Sequence, residues 1–371
     1  MKEIVFVLMI LSGTMFADWI DFGTDGVDHA TLTVVESTPT GMVVDVIIPG
    51  IGLTETFEHG LDFTILNVPG TTMSALEPGY PQLPKVSFLA ALPVNPSITF
   101  TIESMRTVEI GQFTPYPMQP IPYDNATEPP PFTYVPSAYQ VGTYPVETAH
   151  CKVDGILRGV TVGRFAINPI MWDASTNKLS VCCYIRLRIE FGGVVTVDER
   201  LYSRYFEPTY NQVLLNAGIL GEPQRTSHIS ASGPVYANTR REARDIDAAD
   251  LLIIAGDDFV DTLLSNFVTA KWEQGYLPAV VAAGTWTYTE IHDYIQYAYD
   301  NWIIPPSFVL MVGDGPELTA YNAPTGIWSD NRFVCVDGSD YMADIYHGRF
   351  ATPTDFYLNI EAKQLKWQFD P

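Results

Sequence analysis

Aspartates form the densest group of side chains in this sequence that could do chemistry. They follow a predicted buried strand at 308–312 and fall on the loops beyond it, at Asp314, Asp330, Asp337, Asp340 and Asp344. Carboxylates clustered on loops can bind Ca²⁺ through hard oxygen ligands, so Asp337, Asp340 and Asp344 predict a calcium site. Their spacing matches no EF-hand loop. The alternative is an acidic rim at the C-terminal edge of a sheet, either solvated or hydrogen-bonded so that it orders the loops.

Other cofactor and hydrolase motifs are absent from the sequence. Gly313-Asp314-Gly315 is too short for a phosphate-binding loop, and no Walker lysine follows it. No Gly-x-Ser-x-Gly elbow supports a serine hydrolase. None of the four cysteines has CxxC spacing, which argues against zinc, and most are expected to be small buried apolar residues: Cys151, Cys182, Cys183 and Cys335. Cys182 and Cys183 are neighbours on a predicted strand and point to opposite faces, so at most one of them could join Cys151.

A basic stretch interrupts an otherwise acidic chain. Between positions 222 and 248 the apolar runs give way to Ser, Gly, Asn and four arginines, Arg225, Arg240, Arg241 and Arg244. This composition predicts a linker, and exposed linkers are the preferred sites of proteolytic nicking. In the alternative interpretation, these arginines only solvate the linker or pair with the acidic segments on either side.

The N-terminus and the net charge predict an exported protein. Lys2, the apolar run Ile4–Leu11 and the small residue Ala17 are typical of a signal peptide at 1–17, and the run is too short to span a membrane. The mature chain is therefore expected to be secreted, to the periplasm, the cell surface or the medium, with no membrane association. A net charge of −23 argues against nucleic acid and against anionic membrane surfaces as partners.

Residues 18–221 predict an all-β region. Short β-branched or alternating runs recur between Gly and Pro turns, and Leu179–Phe191 alternates most clearly, as a half-buried strand does. This pattern favours a β-sandwich-like domain. The proline-rich stretch 115–144 is predicted to be an extended surface excursion.

Residues 249–371 predict an α/β segment with a mostly parallel sheet. Apolar runs at Leu251–Ala255, Ala279–Ala283 and Phe308–Val312 alternate with helices at 258–274 and after the capping box Thr287-x-x-Glu290. Two further strands are predicted at Arg332–Val336 and Ala343–Tyr346, and a closing helix is predicted from Thr352-Pro353.

The order of several motifs in the α/β segment resembles the gingipain-type cysteine endopeptidases of the caspase-like clan. The motifs are Asp250-Leu-Leu-Ile-Ile254, Lys271-Trp-Glu-Gln-Gly-Tyr276, Phe308-Val-Leu-Met-Val-Gly-Asp314, Ser329-Asp330, Asp337-Gly-Ser-Asp340 and Gly348-Arg-Phe350. The resemblance implies the first subdomain of a caspase-like catalytic unit.

The N-terminal region resembles the pro-domain of the same family. The similar residues are Gly79-Tyr-Pro-Gln-Leu-Pro84, Leu92-Pro93, Arg158-Gly159, the strand at Leu179–Phe191, Leu201-Tyr-Ser203 and Asn216. The resemblance then covers nearly all of the mature chain. It also implies that the linker is where a zymogen would be cut, which gives Arg225, Arg240, Arg241 and Arg244 as activation-cleavage candidates.

The family resemblance implies a dyad in which a thiolate attacks the peptide carbonyl and a histidine handles protons. In that family the histidine is followed by glycine, and the cysteine lies downstream in a second subdomain. Here His347-Gly348 has no cysteine after it, His59-Gly60 lies in the β region, and Cys335 has only His292 upstream, inside a predicted helix. No catalytic residue is therefore assigned.

The sequence thus predicts a multidomain protein: a signal peptide (1–17), a β-sandwich-like pro-domain (18–221), a linker (222–248) and a caspase-like α/β subdomain (249–371). We expect the front of a secreted cysteine endopeptidase precursor that is inactive alone because the dyad-bearing subdomain is missing. Its longer form would act on protein or peptide substrates. Apart from Ca²⁺, no cofactor is expected. The alternative from another class is a secreted, non-enzymatic adhesion or carbohydrate-binding β-sandwich.

Overall fold

Alternating apolar residues build the long central strand of the β-rich region. In the computed structural model, which describes residues 18–24, 26–73, 77–122, 128–140, 142–221, 233–260, 264–284, 286–315, 318–324, 326–351 and 354–369, this strand spans Lys178–Glu190. Its odd-numbered positions from Leu179 to Ile189 are fully buried, as the sequence pattern predicts. The predicted signal peptide and Arg225 lie outside the described residues.

The β-rich region contains thirteen described strands and one 3₁₀ turn, Pro136–Tyr139. The strands are β1 Asp18–Asp21, β2 Thr31–Thr38, β3 Gly41–Ile47, β4 Gly50–Glu58, β5 Leu61–Asn67, β6 Thr72–Met73, β7 Pro84–Leu92, β8 Thr99–Gln112, β9 Thr143–Tyr144, β10 Ala149–Leu157, β11 Val160–Ile167, β12 Ile170–Asp173 and β13 Lys178–Glu190. Their sheet orders are β1-β4-β5, β10-β11-β7-β6, and β2-β3-β13-β12-β9 with β8 paired to β13. The pairs of β13 with β3, β8 and β12 are all antiparallel, which confirms the all-β prediction.

The C-terminal region contains the α/β elements. They are α1 Glu207–Val213, β14 Val235–Ala237, α2 Arg240–Arg244, β15 Leu251–Ala255, α3 Asp257–Val260, α4 Ser265–Glu273, β16 Pro278–Ala282, α5 Tyr288–Asn301, β17 Phe308–Val312, β18 Tyr321–Asn322, β19 Trp328–Ser329, β20 Tyr346–Phe350 and α6 Thr354–Phe369, with 3₁₀ turns at Ala217–Leu220 and Asn331–Phe333. Five strands form a parallel sheet in the order β14-β16-β15-β17-β20, as predicted. None of the described helices has the length and apolar character that crossing a membrane requires.

Buried side chains cover both faces of the parallel sheet. Successive residues of β15 point to opposite faces, so Leu252 and Ile254 join one apolar cluster and Ile253 joins the other. The first cluster includes the inner side of α5, and the second includes residues of α3 and α4. Burial on both faces explains why β15 and β16 read as continuous apolar runs.

Two predicted elements of this region were wrong. Arg332–Val336 is not a strand, because a 3₁₀ turn occupies Asn331–Phe333 and the amides of Val336 and Asp337 donate to the Asp344 carboxylate instead of to a neighbouring strand. The strand predicted at Ala343–Tyr346 begins only at Tyr346. Within the helix predicted at 258–274, the described residues are helical in α3 and in α4, and residues 261–263 lie outside the described part of the chain.

The chain divides into two compact units. The first comprises 1–88, 97–151 and 164–192, and the second comprises 89–96, 152–163 and 193–371. The second unit therefore includes three segments that precede the predicted linker. The domain boundaries at 221 and 248 stay predictions.

The capping box of α5 gives the first testable prediction. Thr287 Oγ1 accepts the amide of Glu290, whose carboxylate accepts the amide of Thr287 in return. Thr287→Ala should lower the free energy of unfolding by about 1 kcal/mol, measured by urea titration, because it leaves a helix-terminal donor unpaired. Thr289→Ala, an exposed position in the same turn, should change it much less. Equal losses in the two variants would contradict the prediction.

Candidate functional site

The predicted calcium ligands surround a tight turn from the β-rich sequence. Asp340 Oδ2 accepts the amide of Ile156 at 2.8 Å, Asp344 Oδ1 that of Arg158 at 2.7 Å, and Asp337 Oδ2 that of Gly159 at 2.8 Å. All of these residues belong to the second unit. Three carboxylates thus bind three backbone donors of one turn, and we call this arrangement the carboxylate cradle.

The backbone conformation of this turn is favourable for its glycine but not for its arginine. Arg158 and Gly159 join β10 to β11, and both have positive φ, 44° and 79°, as a two-residue type I′ turn requires. Glycine adopts this conformation freely, whereas arginine does so at a cost. Gly155 is needed for another reason, because a Cβ there would lie 2.4 Å from Asp340 Oδ2.

Asp344 is the most enclosed member of the cradle. Its side chain is fully buried, and its second oxygen, Oδ2, accepts the amides of Val336 at 2.9 Å and Asp337 at 2.8 Å. Burial raises the pKa of Asp344 to about 7, although the amides of Arg158, Asp337 and Val336 favour the ionised form and partly offset that increase. The carboxylate therefore holds the turn and its own loop together.

Two further donors reach the oxygens of the cradle. Asp337 Oδ2 accepts the Tyr299 hydroxyl at 3.0 Å, and Asp340 Oδ1 accepts the amide of Met342 at 2.7 Å. Among the described residues, no group of three or more His, Cys, Asp or Glu is arranged to hold a metal ion. In this conformation N–H donors approach five of the six carboxylate oxygens that would bind Ca²⁺. The calcium site stays a prediction, and the contacts favour the alternative of hydrogen bonding that orders the loop.

Asp314 and Asp330 lie apart from the cradle, beside a pocket of about 350 Å³. Arg349 donates to both oxygens of Asp330 at 2.8 Å and to the carbonyls of Gly313 and Leu318. The pocket is also lined by Trp328, whose side chain is exposed. It follows β17 at the C-terminal edge of the parallel sheet, where α/β folds commonly bind ligands.

No imidazole is among the hydrogen-bond partners that the described residues offer to Cys335, the thiol that the sequence offers as a nucleophile. The hydrogen-bond partners of Cys335 Sγ are the Asn331 side-chain amide and backbone carbonyl, both at 3.3 Å. Burial raises the pKa of this thiol, which disfavours the nucleophilic thiolate. His292 contacts Asp293 and the Tyr288 ring on α5, and His59 stacks on Phe132 in the first unit. No disulfide joins the four cysteines, which all lie in the described part of the chain, and Cys182 and Cys183 are the two that are buried.

Three of the four predicted cleavage arginines lie in α2. Thr239 caps this helix by accepting the amide of Glu242, and Arg240 contacts Glu290 at 2.5 Å and the Trp286 ring. A protease binds extended backbone, so these three positions are poorer substrates than the sequence alone indicates. Activation cleavage at Arg225, Arg240, Arg241 or Arg244 stays a prediction.

Sequence reasoning assigned no role to Arg158, which the structure places at the centre of the cradle. Arg158-Gly159 entered only as part of the family resemblance. A local signal was present, since an Xaa-Gly pair between two β runs is typical of a two-residue hairpin turn. Nothing in the sequence indicated that the turn would meet aspartates far along the chain.

Comparisons with known proteins confirm the resemblance to the gingipain-type cysteine endopeptidases. Residues 245–358 match the family described as peptidase family C25. Over 341 residues, 86% of this chain, the sequence is 28% identical to Lys-gingipain of Porphyromonas gingivalis. The chain spans only 18% of the length of that relative.

Two solved structures of P. gingivalis proteins are also similar. One concerns the zymogenic latency of gingipain K, with 23% identity and a TM-score of 0.40 over 48% of this chain and 99% of that one. The other is a complex of RgpB pro- and mature domains, with 17% identity and a TM-score of 0.44 over 50% of this chain and 96% of that one. The strand order of this chain itself defines its fold.

The raised pKa of Asp344 predicts that the free energy of unfolding depends on pH in a specific way. Its folded-state pKa of about 7 is above the ordinary aspartate value, so between pH 4 and 7 the folded state binds more protons than the unfolded state. The contribution of Asp344 to stability therefore falls as the pH rises through this window. Relative to Asp344→Asn, the wild-type chain should lose on the order of 2 kcal/mol of unfolding free energy between pH 5 and pH 7. Urea titrations of both proteins measure this difference, and parallel pH curves would contradict the prediction.

Proposed function

We propose that this chain is the N-terminal precursor part of a secreted, gingipain-like cysteine endopeptidase. The observation that carries the proposal is the family C25 match at 245–358, which contains four of the five strands of the parallel sheet. The proposal combines a signal peptide at 1–17, a pro-domain and the first caspase-like subdomain. The longer form of the protein would hydrolyse peptide bonds in protein substrates outside the cell.

The contacts of the second unit support a precursor role for the N-terminal sequence. Segments 152–163 and 193–221, which precede the predicted linker, pack in one unit with the strands of the matched region. The carboxylate cradle is the most specific of these contacts, since it binds the amides of residues 156, 158 and 159. A pro-segment that holds the loops of a catalytic subdomain would act in this way.

We also propose that the described residues are catalytically inactive on their own. A cysteine peptidase needs a thiolate beside an imidazole, and Cys335 instead contacts Asn331 in surroundings that raise its pKa. The catalytic dyad would then come from a further subdomain, as the family pattern implies.

An activity assay tests the proposal. The purified 371-residue chain should release no product from a mixed peptide library under reducing conditions, and Cys335→Ala should be indistinguishable from it. A Lys-gingipain preparation serves as the positive control for the library. Thiol-dependent cleavage that Cys335→Ala abolishes would overturn the assignment of an inactive chain and identify Cys335 as the nucleophile.

Limited trypsin treatment tests the position of the activation site. Arg240, Arg241 and Arg244 lie in α2, whose backbone a protease would have to unwind, so the first cut is expected at Arg225. A mass-spectrometric time course identifies the earliest fragments, and Arg225→Gln should delay their appearance. Earliest cuts at Arg158 or Lys178 would refute the proposed linker.

A further inference from the structure

A second cavity of the C-terminal region, of about 470 Å³, lies between α2 and α5. From α5 it is lined by four residues with the spacing i, i+3, i+4 and i+7, which are Glu290, Asp293, Tyr294 and Tyr297. This spacing places them on one face of that helix. From α2 it is lined by Arg240 and Arg244, at the spacing i and i+4. The volume is within the range of small-molecule sites.

Aromatic rings form the apolar part of this cavity. Trp286, just before α5, and Tyr294 are each 7% exposed, and their rings meet edge to face with 5.3 Å between the centres. The Tyr294 hydroxyl donates to the carbonyl of Ala243 at 2.8 Å, which ties α5 to α2. The Tyr297 ring also lines the cavity and is partly exposed. Aromatic side chains beside a few polar groups are the usual lining of a small-molecule site.

The two arginines of the cavity differ in their contacts. Arg240 Nη1 lies 2.5 Å from Glu290 Oε1, and its guanidinium carbon lies 5.4 Å from the centre of the Trp286 ring. Hydrogen bonds from the Thr287 amide and from Arg240 hold the pKa of Glu290 below its usual range, so this pair stays ionised. Arg244 is exposed and has no hydrogen-bond acceptor or ion-pair partner among the described residues. Its guanidinium is therefore available to a ligand.

The charges of the cavity favour one class of ligand. Its two arginines are balanced by Glu290 and by Asp293, whose exposed carboxylate is approached by His292 Nδ1 at 3.5 Å. A dianion such as phosphate would face both carboxylates with one available guanidinium. A carboxylate, in contrast, matches the planar fork of Arg244, and an ammonium matches Asp293. The lining therefore suits a zwitterion better than a dianion.

We propose that this cavity binds a zwitterionic amino acid or short peptide with an apolar side chain. The carboxylate of the ligand contacts Arg244, and its ammonium lies near Asp293. Its side chain packs on the rings of Trp286, Tyr294 and Tyr297. Free amino acids and short peptides share this chemistry and differ in the separation of the two charges. The inference goes beyond the proposed precursor role, and its test uses no peptidase activity.

Calorimetric titration of the full 371-residue chain tests the proposal. The probes are L-phenylalanine and the dipeptide Gly-Phe, and at least one should bind saturably with a Kd of about 1 mM or below. The tighter of the two identifies the source as a free amino acid or a peptide. Its amide, which lacks the carboxylate, and its N-acetyl derivative, which lacks the ammonium, should bind more weakly by about tenfold or more. Absence of saturable binding by both probes, or a derivative that binds as tightly as the zwitterion, would overturn the inference.

Substitutions in the two helices locate the binding site. Arg244→Gln should weaken binding by about tenfold or more, because it removes a charge-assisted hydrogen bond. Arg241→Gln is the matched control, since this exposed arginine of the same helix does not line the cavity, and it should bind as the wild-type chain does. Asp293→Asn should also weaken binding, whereas Asp300→Asn, outside the cavity on α5, should not.

The titrations with the amide and the N-acetyl derivative use the wild-type chain, so they test the inference even if Arg244→Gln does not fold. Circular dichroism of each variant shows whether it is folded. Equal affinities of folded Arg244→Gln and Arg241→Gln would place the ligand elsewhere, and the proposed site would be wrong.

Discussion

Much of the local structure of the second unit depends on one constraint, which is that charged side chains are buried there. A carboxylate or guanidinium removed from water must find hydrogen-bond partners for nearly all of its polar atoms, since an unpaired buried charge costs several kcal/mol. Asp344 meets this requirement with three amides, and Arg158 meets it with five oxygens. Because the Asp344 carbonyl is one of those oxygens, neither residue can move without leaving the other unsatisfied. The loop after β17 and the turn before β11 are consequently fixed by each other.

The same constraint explains why the loop at 334–345 is not a strand despite its apolar residues. Phe333, Val334 and Val336 bury their side chains in the cluster that includes α5. Their burial satisfies the hydrophobic pattern, but the Val336 and Asp337 amides go to a carboxylate. Side-chain acceptors that compete with a neighbouring strand for backbone donors are a general reason for irregular structure inside an apolar segment. In the parallel sheet, the backbone donors of β15, β16 and β17 go to the neighbouring strand instead, because these strands pair backbone to backbone along their full lengths.

Local sequence patterns therefore predicted the elements whose formation depends on interactions between residues close together in the sequence. The alternation in β13, the apolar run of β15 and the capping box of α5 all follow from side-chain periodicity or from contacts within one turn. The roles of the aspartates depend on partners nearly two hundred positions away, which no local pattern contains. Carboxylate spacing alone is compatible with a cation or with N–H donors. Arg158 was missed for the same reason, because its acceptors are mostly backbone carbonyls, which any residue supplies.

Family resemblance and geometry answer different questions about this chain. The C25 match and the identity to Lys-gingipain relate the chain to a peptidase family, but the chain spans only 18% of that relative. Activity depends on a thiolate and an imidazole placed within reach of one another, and Cys335 lacks that neighbour among the described residues. What the described geometry does provide is a loop after β17 whose aspartates bind the backbone of an earlier segment of the same chain. Contacts between segments so far apart in the sequence depend on the whole unit being folded, so a local change at the turn would be felt at the loop.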